Sequence, residues 1–227
     1  MLTGCNEAFI IDSKKREEIL ANCQTEEERK RTTELIRPIL RGRDIKRYGY
    51  VDNGLYLINT HNGIRGRIPR INIDNYPAVK AHLDQYWDKI AIRADKGDTP
   101  YNLRNCAYLD LFFQPHICWK AVGRNLAFAL VESGVFLTAP ASFISGGVYN
   151  ETILHYLCIK VGRYFIYKNS DTTGAGDIML NIQSLIKFPV PVGKLETEGL
   201  SYNEINNAIY ITYGFTNAEI AYIESQI

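Results

Sequence analysis

Apolar positions along this chain take a helical spacing towards both ends and a strand-like alternation in the middle. After Ile10 and Ile11 a polar, charged stretch leads to Thr25 and Glu28, spaced as a capping box. The spacing predicts a helix that stops near Arg37, because Pro38 disfavours helical geometry in the residue before it. Residues 54–60 (GLYLINT) alternate like a strand, and residues 61–70 (HNGIRGRIPR) read as a loop. Pro77 suits the first turn of a helix whose face carries Val79, Leu83, Tyr86, Trp87 and Ile90, with Gly97 as its stop.

From Ile117 to Ser145 the pattern becomes β, in the runs ICWKAV, LAFALV, VFLTA and SFIS, broken at Gly123-Arg124-Asn125, Ser133-Gly134 and Pro140. A helix from about Glu151 to Val161 follows, burying Ile153, Leu154, Leu157, Cys158 and Val161, with Gly162 at its end. The tail Phe188–Val192 (FPVPV) is too rich in proline for a regular element. Two short helices close the chain, about 203–213 and 218–227, with Gly214 between them and Thr216 and Glu219 as a second capping box. The expected fold class is α+β: a central mixed or antiparallel β region flanked by helices, with a C-terminal helical hairpin over 200–227.

Composition narrows the functional classes. The 227 residues are 46% hydrophobic and 22% charged, as expected of a globular chain with a real core. No apolar run reaches the ~18 residues of a membrane span, and the N-terminus has no signal-peptide pattern. Five scattered cysteines without a C-x-x-C pair read as reduced thiols, which points to a cytoplasmic protein. The four histidines do not cluster; His116 near Cys118 lacks the second pair a zinc site needs. Residues 171–177 (DTTGAGD) resemble the signature of ribokinase-type sugar kinases, where glycines open a helix over a phosphoryl group and the last Asp acts as base. The strand–helix alternation of that fold is missing, so a sugar-kinase fragment stands only as a remote alternative. Asp98 to Tyr101 (DTPY) reads as a turn, because threonine replaces the first proline of a methyltransferase tetrad.

Charge supplies the leading candidate chemistry. The totals almost cancel, 26 Lys+Arg against 25 Asp+Glu, yet cations gather in groups. Arg41, Arg43, Lys46 and Arg47 form one group, and Arg65, Arg67 and Arg70 a second. Arg93, Lys96 and Arg104 form a third, followed by Lys120 with Arg124 and Arg163 with Lys168. Tyr48, Tyr101, Tyr108 and Tyr167 lie among them. Guanidinium forks suit phosphate oxygens and guanine edges, so basic loops on a mixed scaffold point to nucleic acid. A net charge of +1 is low for a protein that holds DNA alone, and reasonable for a module whose neighbour adds phosphate contacts.

Several stretches, taken in order, carry a resemblance: residues 3–12 (TGCNEAFIID), 36–48 (IRPILRGRDIKRY), 68–87 (IPRINIDNYPAVKAHLDQYW) and 93–108 (RADKGDTPYNLRNCAY). The FFQPHICWKAV region, the FPVPV tail and residues 202–224 (YNEINNAIYITYGFTNAEIAYIE) extend it. From end to end, the chain resembles the TaqI-like C-terminal specificity domain, the target recognition region of adenine-N6 DNA methyltransferases and fused type II restriction–modification enzymes. His116 departs from the usual lysine, and Leu157-Cys158-Ile159-Lys160 from the usual helix ending.

The resemblance implies that residues 1–227 are a DNA recognition domain without an active site, a C-terminal fragment of a larger bacterial or archaeal enzyme. A methyltransferase domain, and a nuclease domain as a further candidate, would lie N-terminal to it in the same polypeptide. S-adenosylmethionine would bind there, with Mg as a further candidate cofactor, and this chain would hold no cofactor or metal. The partner would be double-stranded DNA, not a membrane. By analogy Arg41, Arg43, Arg65, Arg67, Lys120, Arg124 and Lys168 would face it, and the charge pattern adds Lys46, Arg47, Arg70 and Arg104. The alternative is an interaction module that docks a separate catalytic subunit through its terminal helices.

Overall fold

A computed structural model describes residues 2–124, 126–145, 147, 150–191, 193 and 195–227. Two turn and tail positions singled out above, Asn125 and Val192, lie outside the described residues. The chain folds as two compact units. One comprises Met1–Arg41, Asp52–Gln114 and Ser133–Ala139; the other comprises Gly42–Val51, Pro115–Glu132 and Pro140–Ile227. The architecture is α+β, with antiparallel sheets flanked by helices and two short helices at the C-terminus.

The first unit is built on a four-stranded sheet. Leu55–Ile58 pairs antiparallel with Ile10–Asp12 on one side and with Ile36–Leu40 on the other. The second half of Ile36–Leu40 runs parallel to Phe136–Leu137. The helix expected to reach Arg37 spans Glu26–Leu35, and Pro38 lies inside the strand that follows. A strand tolerates it because pairing changes hands there: residues 36–38 face Leu55–Ile58 and residues 39–40 face Phe136–Leu137. The helix expected from Pro77 is two helices, Pro77–Asp84 and Trp87–Ile90. Val79, Leu83 and Ile90 are fully buried, whereas Trp87 is exposed, and Gly97 lies in a later loop. Phe112 stacks on Phe136 with ring centroids 4.5 Å apart. Each such buried side chain contributes about 1.5–3 kcal/mol.

The second unit centres on His116–Lys120, flanked antiparallel by Ala141–Ser145 and Phe128–Val131. Trp119 is fully buried and donates its indole N–H to the Leu180 carbonyl at 3.2 Å. Over this sheet lie the helices Asn150–Cys158 and Lys160–Asn169. The apolar pattern predicts a helix that stops at Gly162, but Gly162 sits inside the second helix. A Cβ there would come 2.3 Å from the Tyr156 carbonyl, so the glycine marks a close approach of two helices and not a stop. The terminal helices, Tyr202–Tyr213 and Asn217–Ser225, each start from a complete capping box, Ser201 with Glu204 and Thr216 with Glu219. Gly214 between them has φ 69°, the left-handed cap.

The kinase-like segment is a hairpin. Asp171–Thr172 pairs antiparallel with Ile178–Met179, and the turn is closed by Thr173 and Asp177. It opens no helix, so the phosphoryl cradle that the motif needs is not formed, and among the described residues the strand pairs are antiparallel apart from Ile36–Leu40 with Phe136–Leu137, unlike the parallel sheet of a sugar kinase. Among the described residues, no helix is long and apolar enough to cross a membrane.

Candidate nucleic-acid interface

In the first unit, the loop after Leu55–Ile58 folds into a tight basic hairpin. The backbone amides of Ile64 and Ile68 donate to each other's carbonyls at 2.8 and 2.9 Å, and Arg67 N–H donates to Ile64 at 2.9 Å. This closes a turn on Arg65-Gly66, with Gly66 at φ 77°, as a turn with a left-handed third residue requires. Gly63, at φ 74°, is packed so closely that a Cβ would fall 2.3 Å from the Ile68 carbonyl. The two glycines therefore let the chain present Arg65 and Arg67 on a short rigid tip.

A polar frame holds that tip. Asn62 donates to Asp98 at 2.9 Å and to Asn105 at 2.6 Å, and its own side-chain oxygen accepts the Asp98 backbone N–H at 2.9 Å. Buried Asn102 donates to the Ile71 carbonyl at 2.9 Å. Leu103 N–H donates to Thr60 at 2.9 Å, while the Thr60 hydroxyl donates to the Tyr101 carbonyl at 2.7 Å. Between hairpin and frame opens a cleft of about 740 Å³ lined by Arg65, Arg67, Arg70, Asn62, Asp98 and Asn105, among others.

The arginines of this cleft are held unequally. Arg67 pairs with Asp110, and Arg70 with Asp98 at 3.5 Å. Exposed Arg65 has no side-chain partner among the described residues. Three cations against two acids leave an excess of one positive charge. Exposed pairs of this kind are worth about 0–1 kcal/mol, so either carboxylate can yield to a phosphate. Beside the cleft, Arg104 pairs with Asp95 at 3.0 Å. Burial pushes the His61 imidazole down from its ordinary range, so it is neutral at pH 7.

Arg93, counted in the third basic group, turns its charge inward. It is 6% exposed, and its guanidinium donates to the carbonyls of Thr3, Asp95, Pro100 and Asn102 while lying 4.4 Å over the Phe9 ring. It ties loops together. Lys96 likewise donates to the Ala91 carbonyl at 2.7 Å. Arg41, at the end of the unit's sheet, is half-buried.

In the second unit the Gly42–Tyr50 segment is a turn followed by a hairpin, Ile45–Lys46 against Gly49–Tyr50. Tyr48 at its tip has φ 65°, the left-handed region that costs a bulky residue about 1–2 kcal/mol. Its backbone N–H donates to Phe128 at 2.9 Å and its ring packs 5.3 Å from His155, which hold it there. Burial also pushes the Tyr48 phenol up to about 12, so it stays protonated. Lys46 donates to the Arg43 carbonyl at 3.0 Å, and Arg47 to the Cys158 carbonyl at 2.5 Å. Arg43 is exposed and its guanidinium has no partner among the described residues.

Lys120 ends the central strand of this unit with its side chain exposed and, among the described residues, unpaired. It runs between Gly42 and Gly123, where an added Cβ would stand 3.1 Å from its Cγ and 3.3 Å from its Nζ. The two glycines thus make room for this side chain. Arg124 is 77% exposed, 3.8 Å from Asp177; Lys168 donates to Gln226 at 3.3 Å. The Asn62–Asp98–Asn105 frame was not visible in the sequence, because its partners lie 36 and 43 residues apart. Among the described residues no group of His, Cys, Asp and Glu is placed to hold a metal ion.

No family model matches the chain, and no curated protein matches it in sequence. The fold is similar to part of the Type IIL restriction–modification enzyme MmeI, solved in complex with DNA, with a TM-score of 0.57 at 11% sequence identity. The likeness covers 98% of this chain and 34% of that one, so the chain spans about a third of the length of the enzyme chain.

Proposed function

We propose that this chain is a sequence-specific DNA recognition module of the TaqI-like type, serving an adenine-specific DNA methyltransferase or a fused restriction–modification enzyme. The observation that carries the reading is the fold: nearly the whole chain superposes on part of a restriction–modification enzyme solved on DNA. The basic tip of the first unit and the exposed cations of the second supply what such a module needs. Arg65, Arg43 and Lys120, without internal partners among the described residues, take phosphates directly. Arg67, Arg70 and Arg124 exchange an internal carboxylate for a phosphate or a base edge.

On this reading the chain does no covalent chemistry. A methyltransferase domain N-terminal to it binds S-adenosylmethionine and acts on an adenine turned out of the helix, while this module grips the flanking duplex. A nuclease domain with Mg is a further element of the same proposal.

The test is binding of a labelled duplex followed by fluorescence anisotropy over a salt series. The expected result is binding at low salt that weakens steeply as salt rises. Arg65→Ala and Lys120→Ala should each flatten the log–log slope by about 0.9, one phosphate contact. Absence of binding to any duplex at low salt, by this chain and by its full-length protein, would overturn the reading. The chain alone should neither methylate nor cleave DNA.

A further inference from the structure

The second unit contains a groove of about 220 Å³ with an apolar floor of Leu126, Ile166 and Ile178. Arg47, Arg124, Arg163 and the 54% exposed Tyr167 line the rest. The three arginines differ in how they are held. Arg47 is fixed: it donates to the Cys158 carbonyl at 2.5 Å, and its guanidinium lies 4.2 Å over the Tyr202 ring. Arg124 leans towards Asp177 across 3.8 Å, an exposed pair that opens at little cost. Arg163 is exposed, and its side chain has no partner among the described residues. Tyr167 follows Arg163 by four residues on the Lys160–Asn169 helix, so the two share a face.

Three cations around one groove, with a single acid at Arg124, repel one another until an anion enters. Guanidinium forks fit the non-bridging oxygens of a phosphate. The groove is smaller than the roughly 300–1,000 Å³ of pockets that enclose a whole small molecule. It therefore suits one unit of a polymer better than a free nucleotide. An apolar floor beside an exposed tyrosine ring suits the sugar that carries the phosphate.

We propose that this groove is a phosphodiester subsite for nucleic acid. Arg124 and Arg163 take the phosphate oxygens, Arg47 supplies fixed positive charge, and Tyr167 packs against the adjoining sugar. The proposal rests on the DNA-recognition reading and adds Arg163 and Tyr167 to the DNA-facing residues.

The experiment compares the full chain with Arg163→Ala, Arg163→Lys and Tyr167→Ala, using a labelled random-sequence duplex over a salt series and inorganic phosphate as a separate titrant. Circular dichroism confirms that each variant is folded. Arg163→Ala should flatten the salt slope by about 0.9 and Arg163→Lys should restore it. Tyr167→Ala should weaken duplex binding several-fold at unchanged slope. If the wild-type chain binds duplex and Arg163→Ala keeps its slope, the subsite is wrong and the DNA reading stands. If neither the wild-type chain nor its full-length protein binds duplex at low salt, both fall. Saturable binding of inorganic phosphate that depends on Arg163, with the duplex slope unchanged, would make this a free-anion site and overturn the proposal.

Discussion

The carboxylate of Glu28 accepts the backbone N–H of Ala78 at 2.9 Å, joining the start of one helix to the start of another fifty residues away. Its other oxygen accepts Gln24 N–H at 2.8 Å, while the Thr25 side chain caps Glu28 itself at 3.1 Å. Glu28 is 3% exposed, so its removal strands donors away from water. Glu28→Ala should lower stability by about 2–4 kcal/mol, and Glu28→Gln, which keeps one acceptor, by about half as much. Urea denaturation followed at Trp87, in the same unit, measures both.

Two glycines of the basic hairpin should respond differently to alanine. At Gly63 a Cβ meets the Ile68 carbonyl at 2.3 Å, so the hairpin must open; at Gly66 the space is free and only the left-handed backbone is strained. Gly66→Ala should cost about 1–2 kcal/mol and leave duplex affinity nearly intact. Gly63→Ala should cost more and weaken duplex binding markedly. Thermal melts and anisotropy on the same samples separate the two effects.

Arg93 should behave as a structural arginine. Its removal leaves four carbonyls without their donor in a buried place, so Arg93→Ala should cost at least about 3 kcal/mol. At temperatures where the variant remains folded, its salt slope for duplex binding should equal that of the wild type. A flattened slope would add Arg93 to the DNA-facing set.

Acid should destabilise the first unit through His82. Burial pushes this imidazole below its ordinary value, and its Nε2 bonds the Ala8 carbonyl at 2.9 Å while Nδ1 has no partner among the described residues. The unfolded chain takes up the proton near pH 6.5 and the folded one resists it, so the contribution is full above about pH 6.5 and lost as pH falls further. His61, also lowered by burial, acts in the same direction in this unit, and His155 does so in the second. The thermal midpoint should drop between about pH 7.5 and about pH 5.5. His82→Gln, which keeps a donor for Ala8, should flatten part of that drop.

Local signals in the sequence located much of the fold. Alternation found the strands around Leu55–Ile58 and His116–Lys120, and the Thr216–Glu219 spacing found a complete capping box. What the sequence hid were tertiary decisions. Pro38 enters a strand because pairing switches beside it, Gly162 continues a helix because another turn presses on it, and Glu28 caps a distant helix instead of its own. At the candidate site, the grouping of Arg65, Arg67 and Arg70 was legible. Burial of Arg93 and the groove that joins Arg47, Arg124 and Arg163 depend on contacts far apart in sequence.

A recognition module of the kind proposed reads DNA sequence and does not merely adhere to it. Selection of bound molecules from a pool of random duplexes at moderate salt, followed by sequencing, tests that most directly. The expected result is enrichment of one short site containing an adenine, with the enrichment lost in a chain carrying Arg67→Ala, Arg70→Ala and Arg124→Ala, whereas Arg65→Ala with Lys120→Ala lowers recovery of every sequence alike. Recovery of an unenriched pool, with every sequence retained equally, would contradict it.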